Sequence, residues 1–128
     1  MKIIGIGVDI VENKRIGSFI RNKKFITRIF GKDEISNSKK ILNKTSYLSK
    51  RFAAKEALVK AIGTGFRNGL NFKDIQVANN KQGKPHYVVT LKLKDFIKKK
   101  MKVKSFNLLL SISDEKEYSI AFTIIQAT

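Results

Sequence analysis

The sequence has no cysteine and no tryptophan, a single proline, a single histidine and few acids. Without cysteine there is no disulfide framework, no thiolate nucleophile and no zinc–thiolate centre, and the chain suits a reducing compartment. The lone histidine, His86, falls in a strand context, which disfavours a Ser-His-Asp relay. No run reaches the roughly 18 apolar residues of a membrane span. The opening MKIIGIGVDI meets Asp9 too early for the apolar stretch of a secretory leader. A Walker-type phosphate loop is missing, and GxGxxG is incomplete: GIG lies inside a strand pattern, and GTG follows a helix instead of opening one. Repeats, linkers and low-complexity tails are absent too. The expectation is one domain over residues 1–128, cytoplasmic, with a core that removes roughly two-thirds of the unfolded surface from water.

Acids are scarce relative to bases. Ten Asp and Glu against 27 Lys and Arg leave a formal charge of +17. That balance attracts polyanions, whether nucleic acid, an acidic protein or a phosphorylated ligand. Abundant Lys, Ile and Asn also fit A/T-rich coding sequence, so the charge selects a class of partner and no activity.

Hydrophobic spacing supplies the elements. Residues 3–11 read as a buried strand with Ile4, Ile6, Val8 and Ile10 on one face and Gly5, Gly7 and Asp9 on the other. The two glycines allow a backbone or ligand to come close. Residues 13–30 read as one helix broken near Asn22 or as two short ones, and 32–43 as another short helix. The strongest helix signal is 45–62, with Thr45 or Ser46 as cap and Gly63 and Gly65 past its end. Strands are expected at 74–79 and 86–91 around the turn NNKQGKP, then a lysine-rich helix at 92–102 with Phe96, Ile97 and Met101 inward. Strands at 105–113 and 118–126 flank DEKE. The order favours an α+β fold, an antiparallel sheet around a long helix.

Asp9 stands among apolar residues, where a carboxylate is costly without a partner. It is either a helix cap or structural ion pair, with Glu12 at capping-box spacing, or a ligand. In KEALVK, Glu56 and Lys60 share a helix face, one turn from Phe52. On an exposed helix such a pair is ordinary, but the flanking alanines make this helix look buried. Two carboxylates on separate elements with a nearby lysine suit phosphate chemistry. Mg²⁺ takes one or two carboxylates and completes its shell with water and substrate phosphates.

Together GIGVDIVE, RFAAKEALVKAIGTG at 51–65, QGKP at 82–85 and SISDEKEYSIA at 111–121 resemble the holo-acyl-carrier-protein synthase family of small 4′-phosphopantetheinyl transferases, over nearly the whole chain. The resemblance implies the phosphopantetheinyl transferase fold. It also implies transfer of 4′-phosphopantetheine from coenzyme A to a serine of acyl carrier protein, releasing adenosine 3′,5′-bisphosphate, within fatty acid biosynthesis. It implies Mg²⁺ held by Asp9 and Glu56, with Lys60 steadying the pyrophosphate and Glu56 or a metal-bound water taking the serine proton. Coenzyme A contacts are implied at Arg51, Lys60, Gly63, Gly65, Pro85 and Ser111. Arg15, Phe19, Arg21, Lys24, Phe25 and Arg28 match the region that docks the acidic carrier. The family is typically a homotrimer with sites at subunit boundaries. One departure stands out: Asp114 occupies a place where many relatives carry His, so an acid faces the coenzyme's phosphate side unless Lys116 or another cation intervenes. The reading from a different class is a small basic nucleic-acid-binding module. It requires aromatics interleaved with Lys and Arg on one sheet face.

Overall fold

In a computed structural model that describes residues 1–66 and 69–128, the chain runs β1 (Lys2–Glu12), α1 (Asn13–Phe19), α2 (Lys23–Ile29), α3 (Lys32–Ser38), α4 (Lys44–Ile62), a 3-10 turn (Phe72–Asp74), β2 (Gln76–Asn79), β3 (Pro85–Val88), α5 (Leu91–Met101), β4 (Phe106–Asp114) and β5 (Tyr118–Ala127). The fold is α+β. Its antiparallel strands form two sheets, β1-β5-β4 and the hairpin β2-β3, set around α4. Among the described residues no helix is long and apolar enough to cross a membrane.

Helix α4 is buried on nearly every side, including Ala53, Ala54, Ala57, Leu58 and Ala61. It ends as expected at Gly63, which turns left-handed (φ +89°) and returns its N–H to the Val59 carbonyl at 2.9 Å. Its start differs from expectation. Asn43, not Thr45 or Ser46, is the cap, and its Oδ1 accepts the Ser46 N–H at 3.0 Å. Thr45 instead packs on α1, with its Cγ2 3.3 Å from where a Cβ on Gly17 would stand.

The faces of β1 also correct the expectation of a buried strand. Ile6, Val8 and Ile10 are more than half exposed, and the glycine face is the inner one. A Cβ on Gly7 would invade the Ala57 carbonyl and lie 2.7 Å from the Ala61 nitrogen, and one on Gly5 would collide with the Ala61 carbonyl. Backbone therefore meets backbone where β1 crosses α4. A register irregularity between Ile3 and Gly5 lets Ile4 still pack against the core, with Val11 at the other end of the strand. Strand β5 continues the pattern: Ser119, Ala121, Thr123 and Ile125 face inward, while Tyr118, Ile120 and Phe122 face out.

The remaining differences have local causes. Asn22 caps α2, accepting the Lys24 N–H at 2.9 Å, so residues 13–30 form two helices. Helix α3 stops at Ser38, beyond which Ile41 and Leu42 are exposed and supply no buried stripe. The strand expected at 74–79 begins only at Gln76, because Asp74 folds back to accept the Asn71 N–H at 2.8 Å. The strand expected at 86–91 stops at Val88, because Thr90 caps α5 through its Oγ1 and the Leu93 N–H at 3.3 Å.

Replacing Gly7 with Ala is expected to cost about 3 kcal/mol through overpacking against α4. Gly31→Ala, with its nearest obstacle at 3.6 Å, should cost no more than about 1 kcal/mol at its capping position. Urea denaturation of both variants checks the contrast.

Candidate active site

Asp9, Glu56 and Lys60 come together where the inner face of β1 meets α4. The Lys60 Nζ donates to Asp9 Oδ1 at 3.0 Å and to the Val8 carbonyl at 3.1 Å. Asp9 is therefore neither a cap nor solvated. It lies in the middle of β1, opposite Ala121 of β5, with its side chain 14% exposed against 54% for Lys60. The i,i+4 partner of Lys60 is Glu56, yet the ammonium bonds to the strand carboxylate instead. Glu56 is half-buried. Burial pushes its carboxyl above the ordinary value, the Asp9 charge pushes it further, and Lys60 works the other way.

Two facing carboxylates, one of them burdened by the other's charge, make a place that gains from a cation. The donors are hard oxygens. Among the described residues no group of three or more His, Cys, Asp or Glu is arranged for a metal, so an ion here keeps positions for water and phosphate. That donor set suits Mg²⁺.

A second assembly lies on another face of α4. Arg51, 4% exposed, donates through Nη2 to Asn79 Oδ1 and stacks its guanidinium 3.6 Å from the Tyr47 ring centroid, while its buried Nε has no partner among the described residues. A cleft of about 510 Å³ beside it is lined by Lys50, Asn79, Gly83, Pro85 and Asp114, among others. Asp114 ends β4 and accepts a hydrogen bond from Ser46 Oγ at 3.3 Å. A buried guanidinium and Lys50 make the cleft suited to an anion.

The six residues expected to contact coenzyme A do not converge within this one chain. Arg51 and Pro85 share the cleft, and Lys60 is with the acids. Gly63 and Gly65 stand at the end of α4 in left-handed conformations with open space around them. Ser111, exposed, alternates onto the outer face of the sheet.

Of the expected carrier-docking residues, Arg15, Phe19, Phe25 and Arg28 line one groove of about 720 Å³. Arg21 borders a separate recess with Lys14 and Lys44, and Lys24 is exposed on α2. Sequence reasoning missed the groove's floor. Phe19 stacks on Phe25 at 5.1 Å, Phe25 meets Phe52 at 6.3 Å, Phe52 meets Phe72 at 5.6 Å, and Phe72 meets Phe66 at 3.7 Å. Phe52 was legible as one turn from Glu56, but Phe66 and Phe72 sit in a connection with no periodic signal. The outer sheet face, from Ile6 to Ile10 and from Tyr118 to Ile124, is apolar and carries no Lys or Arg. It is not the mixed basic and aromatic surface a nucleic-acid module needs.

Comparison with known proteins identifies the family. The family model for the 4′-phosphopantetheinyl transferase superfamily matches residues 5–123. A holo-[acyl-carrier-protein] synthase of Pelagibacter ubique is 63% identical, covering 98% of both chains, and one of Clostridium tetani is 46% identical, covering 97% of this chain and 96% of its own. Among solved structures, the holo-[acyl-carrier-protein] synthase of Neisseria meningitidis superimposes with a TM-score of 0.86 at 34% identity over 97% of this chain and 98% of that one. The Bacillus anthracis synthase, solved in complex with CoA (3′,5′-ADP), gives 0.83 at 33% identity over the whole of both. Matches of this extent and identity, on top of the paired acids of β1 and α4, mean that the chain belongs to the 4′-phosphopantetheinyl transferase superfamily, in the family of the holo-acyl-carrier-protein synthases.

Proposed function

We propose that the chain transfers 4′-phosphopantetheine from coenzyme A to a serine of an apo-acyl carrier protein, in the cytoplasm and in the service of fatty acid synthesis. The observation that carries this reading is the meeting of Asp9, Glu56 and Lys60. Asp9 and Glu56 are the residues that would hold Mg²⁺, which when bound neutralises charge on the pyrophosphate. Lys60, on the exposed side of the pair, is free to turn its ammonium from Asp9 to a pyrophosphate oxygen. Glu56, through a carboxylate oxygen that the ion would leave free, accepts the proton of the carrier serine. The serine oxygen then forms a bond to the phosphorus on the pantetheine side. The bond from that phosphorus to the bridging oxygen breaks, and adenosine 3′,5′-bisphosphate leaves.

The adenosine end of the coenzyme fits the Arg51 cleft, whose buried guanidinium is short of one acceptor among the described residues. Arg51 and Glu56 project about 140° apart around α4. Asp9, Ala121 and Ile112 mark a row across the sheet in which β1 and β4 stand about 10 Å apart. One chain thus aims its acids and its cleft in different directions. This supports a site shared between copies of a homotrimer, with the bare face of Ile6, Val8, Ile10, Ile120 and Phe122 as the contact between subunits. Arg15 and Arg28, at the rim of the aromatic groove, supply the charge that receives an acidic carrier helix.

Four outcomes are expected. Asp9→Asn and Glu56→Gln should each lower transfer by at least about 100-fold, read by mass spectrometry of the carrier. Glu56→Gln should at the same time stabilise the metal-free protein at pH 7. A carboxyl whose folded value is raised opposes folding when ionised, so the gain disappears as pH falls through that raised value and below the ordinary carboxylate range. Thermal melts across pH check the sign. Arg28→Glu should raise KM for the carrier about tenfold with KM for coenzyme A unchanged, and equal changes in both would reject docking at the groove. Arg51→Ala and Asp9→Asn, each inactive alone, should regain transfer when refolded together, and no recovery would reject the shared site.

A further inference from the structure

Beneath the aromatic groove, on a side of α4 that faces away from the acids, lies a sealed ion pair with no part in the proposed chemistry. Lys55 and Glu34 have side chains 0% and 3% exposed, with Nζ and Oε1 2.7 Å apart. The Lys55 ammonium spends its other two donors on backbone carbonyls, that of Phe72 at 3.0 Å and that of Ile75. Glu34 is equally occupied. Its Oε1 also accepts the Gly31 N–H at 3.0 Å, and its Oε2 accepts the Val77 N–H at 3.2 Å. One node therefore ties α3, the 3-10 turn and the start of β2 to α4.

A sealed pair of this kind adds little stability over apolar residues of similar volume. Its contribution is direction, since each bond fixes one backbone group at one place. The group most in need of fixing is the turn Phe72–Asp74. Apart from the Lys55 bonds, these three residues have among the described residues only their own capping bonds between Asn71 and Asp74, the Ile75 N–H on the Phe72 carbonyl and the Lys92–Asp74 pair at the exposed side. The turn also bears the ring that stands between Phe52 and Phe66 in the groove.

We infer that the Glu34–Lys55 pair is a positioning element for carrier recognition, holding Phe72 in the groove through the carbonyls of Phe72 and Ile75. The inference rests on the reading of the groove as the carrier's docking surface. Lys55 and Glu34 touch neither substrate; they act through the backbone of residues 72–77.

The double variant E34Q/K55M removes both charges and frees both carbonyls, without leaving a lone buried ion. It should raise KM for the carrier about tenfold while KM for coenzyme A and kcat stay within about twofold, and amide hydrogen exchange should quicken at residues 72–77. An unchanged carrier KM, or a parallel rise for both substrates, would overturn the inference. Should the double variant not fold, K55M alone tests the same claim. Glu34 keeps the Gly31 and Val77 N–H donors, both carbonyls lose the ammonium, and a rise of at least about threefold in carrier KM alone is required. Arg28→Glu separates the two levels. If it leaves the carrier KM unmoved, the groove reading fails; if it raises that KM and E34Q/K55M does not, the positioning role fails and the groove reading stands.

Discussion

The contact of backbone on backbone between β1 and α4 governs the rest of the molecule. Gly5 and Gly7 leave no side chain between the strand and the peptide groups of Ala57 and Ala61. Small residues extend the contact on both partners: Ala53 and Ala54 on the helix, Ser119, Ala121 and Thr123 on β5. Close approach brings Asp9, two residues beyond Gly7, within reach of Lys60 and into the field of Glu56. With bulkier residues at those positions the strand would stand off and the acids would part. The same closeness leaves no room for large side chains at the crossing itself, so Ile6, Val8 and Ile10 go outward.

Helix α4 sorts its charges by direction. Lys55 and Lys60 are five residues apart, about 140° around the axis. One is enclosed and saturated with acceptors; the other is half-exposed beside a carboxylate that has room for further company. Arg51, four residues before Lys55 and about 40° from it around the axis, reaches instead into the cleft. Of the five basic residues of this helix, Lys55, Lys60 and Arg51 thus serve three uses: a fixed joint, a reactive site and an anion cleft.

Much of this could be read beforehand, and the failures have physical causes. The long helix, the final pair of strands and the breaks at Asn22 and Gly63 follow from capping chemistry and spacing. Asp9 and Glu56 were legible because a carboxylate in an apolar stretch demands a partner. The orientation of β1 was misread, because hydrophobicity ordinarily marks the inner face, whereas here the room available decides it. Lys55 was invisible for the opposite reason: a lysine in a helix reads as solvated, and its partner lies in a short helix whose acid resembles any first-turn acid. Phe66 and Phe72 belong to a connection with no period, so their gathering with Phe52 is a property of the tertiary structure alone.

The alternation along β5, with Ser119, Ala121 and Thr123 inside and Tyr118, Ile120 and Phe122 outside, bears on how the chain finds its pairing. A slip of one residue would turn the aromatic and branched side chains toward α4, where the glycines of β1 mark a gap too thin to admit them. Mispairing of the central strand is thus barred by bulk as well as disfavoured by solvation. The sheet proofreads its own alignment as it closes on the helix.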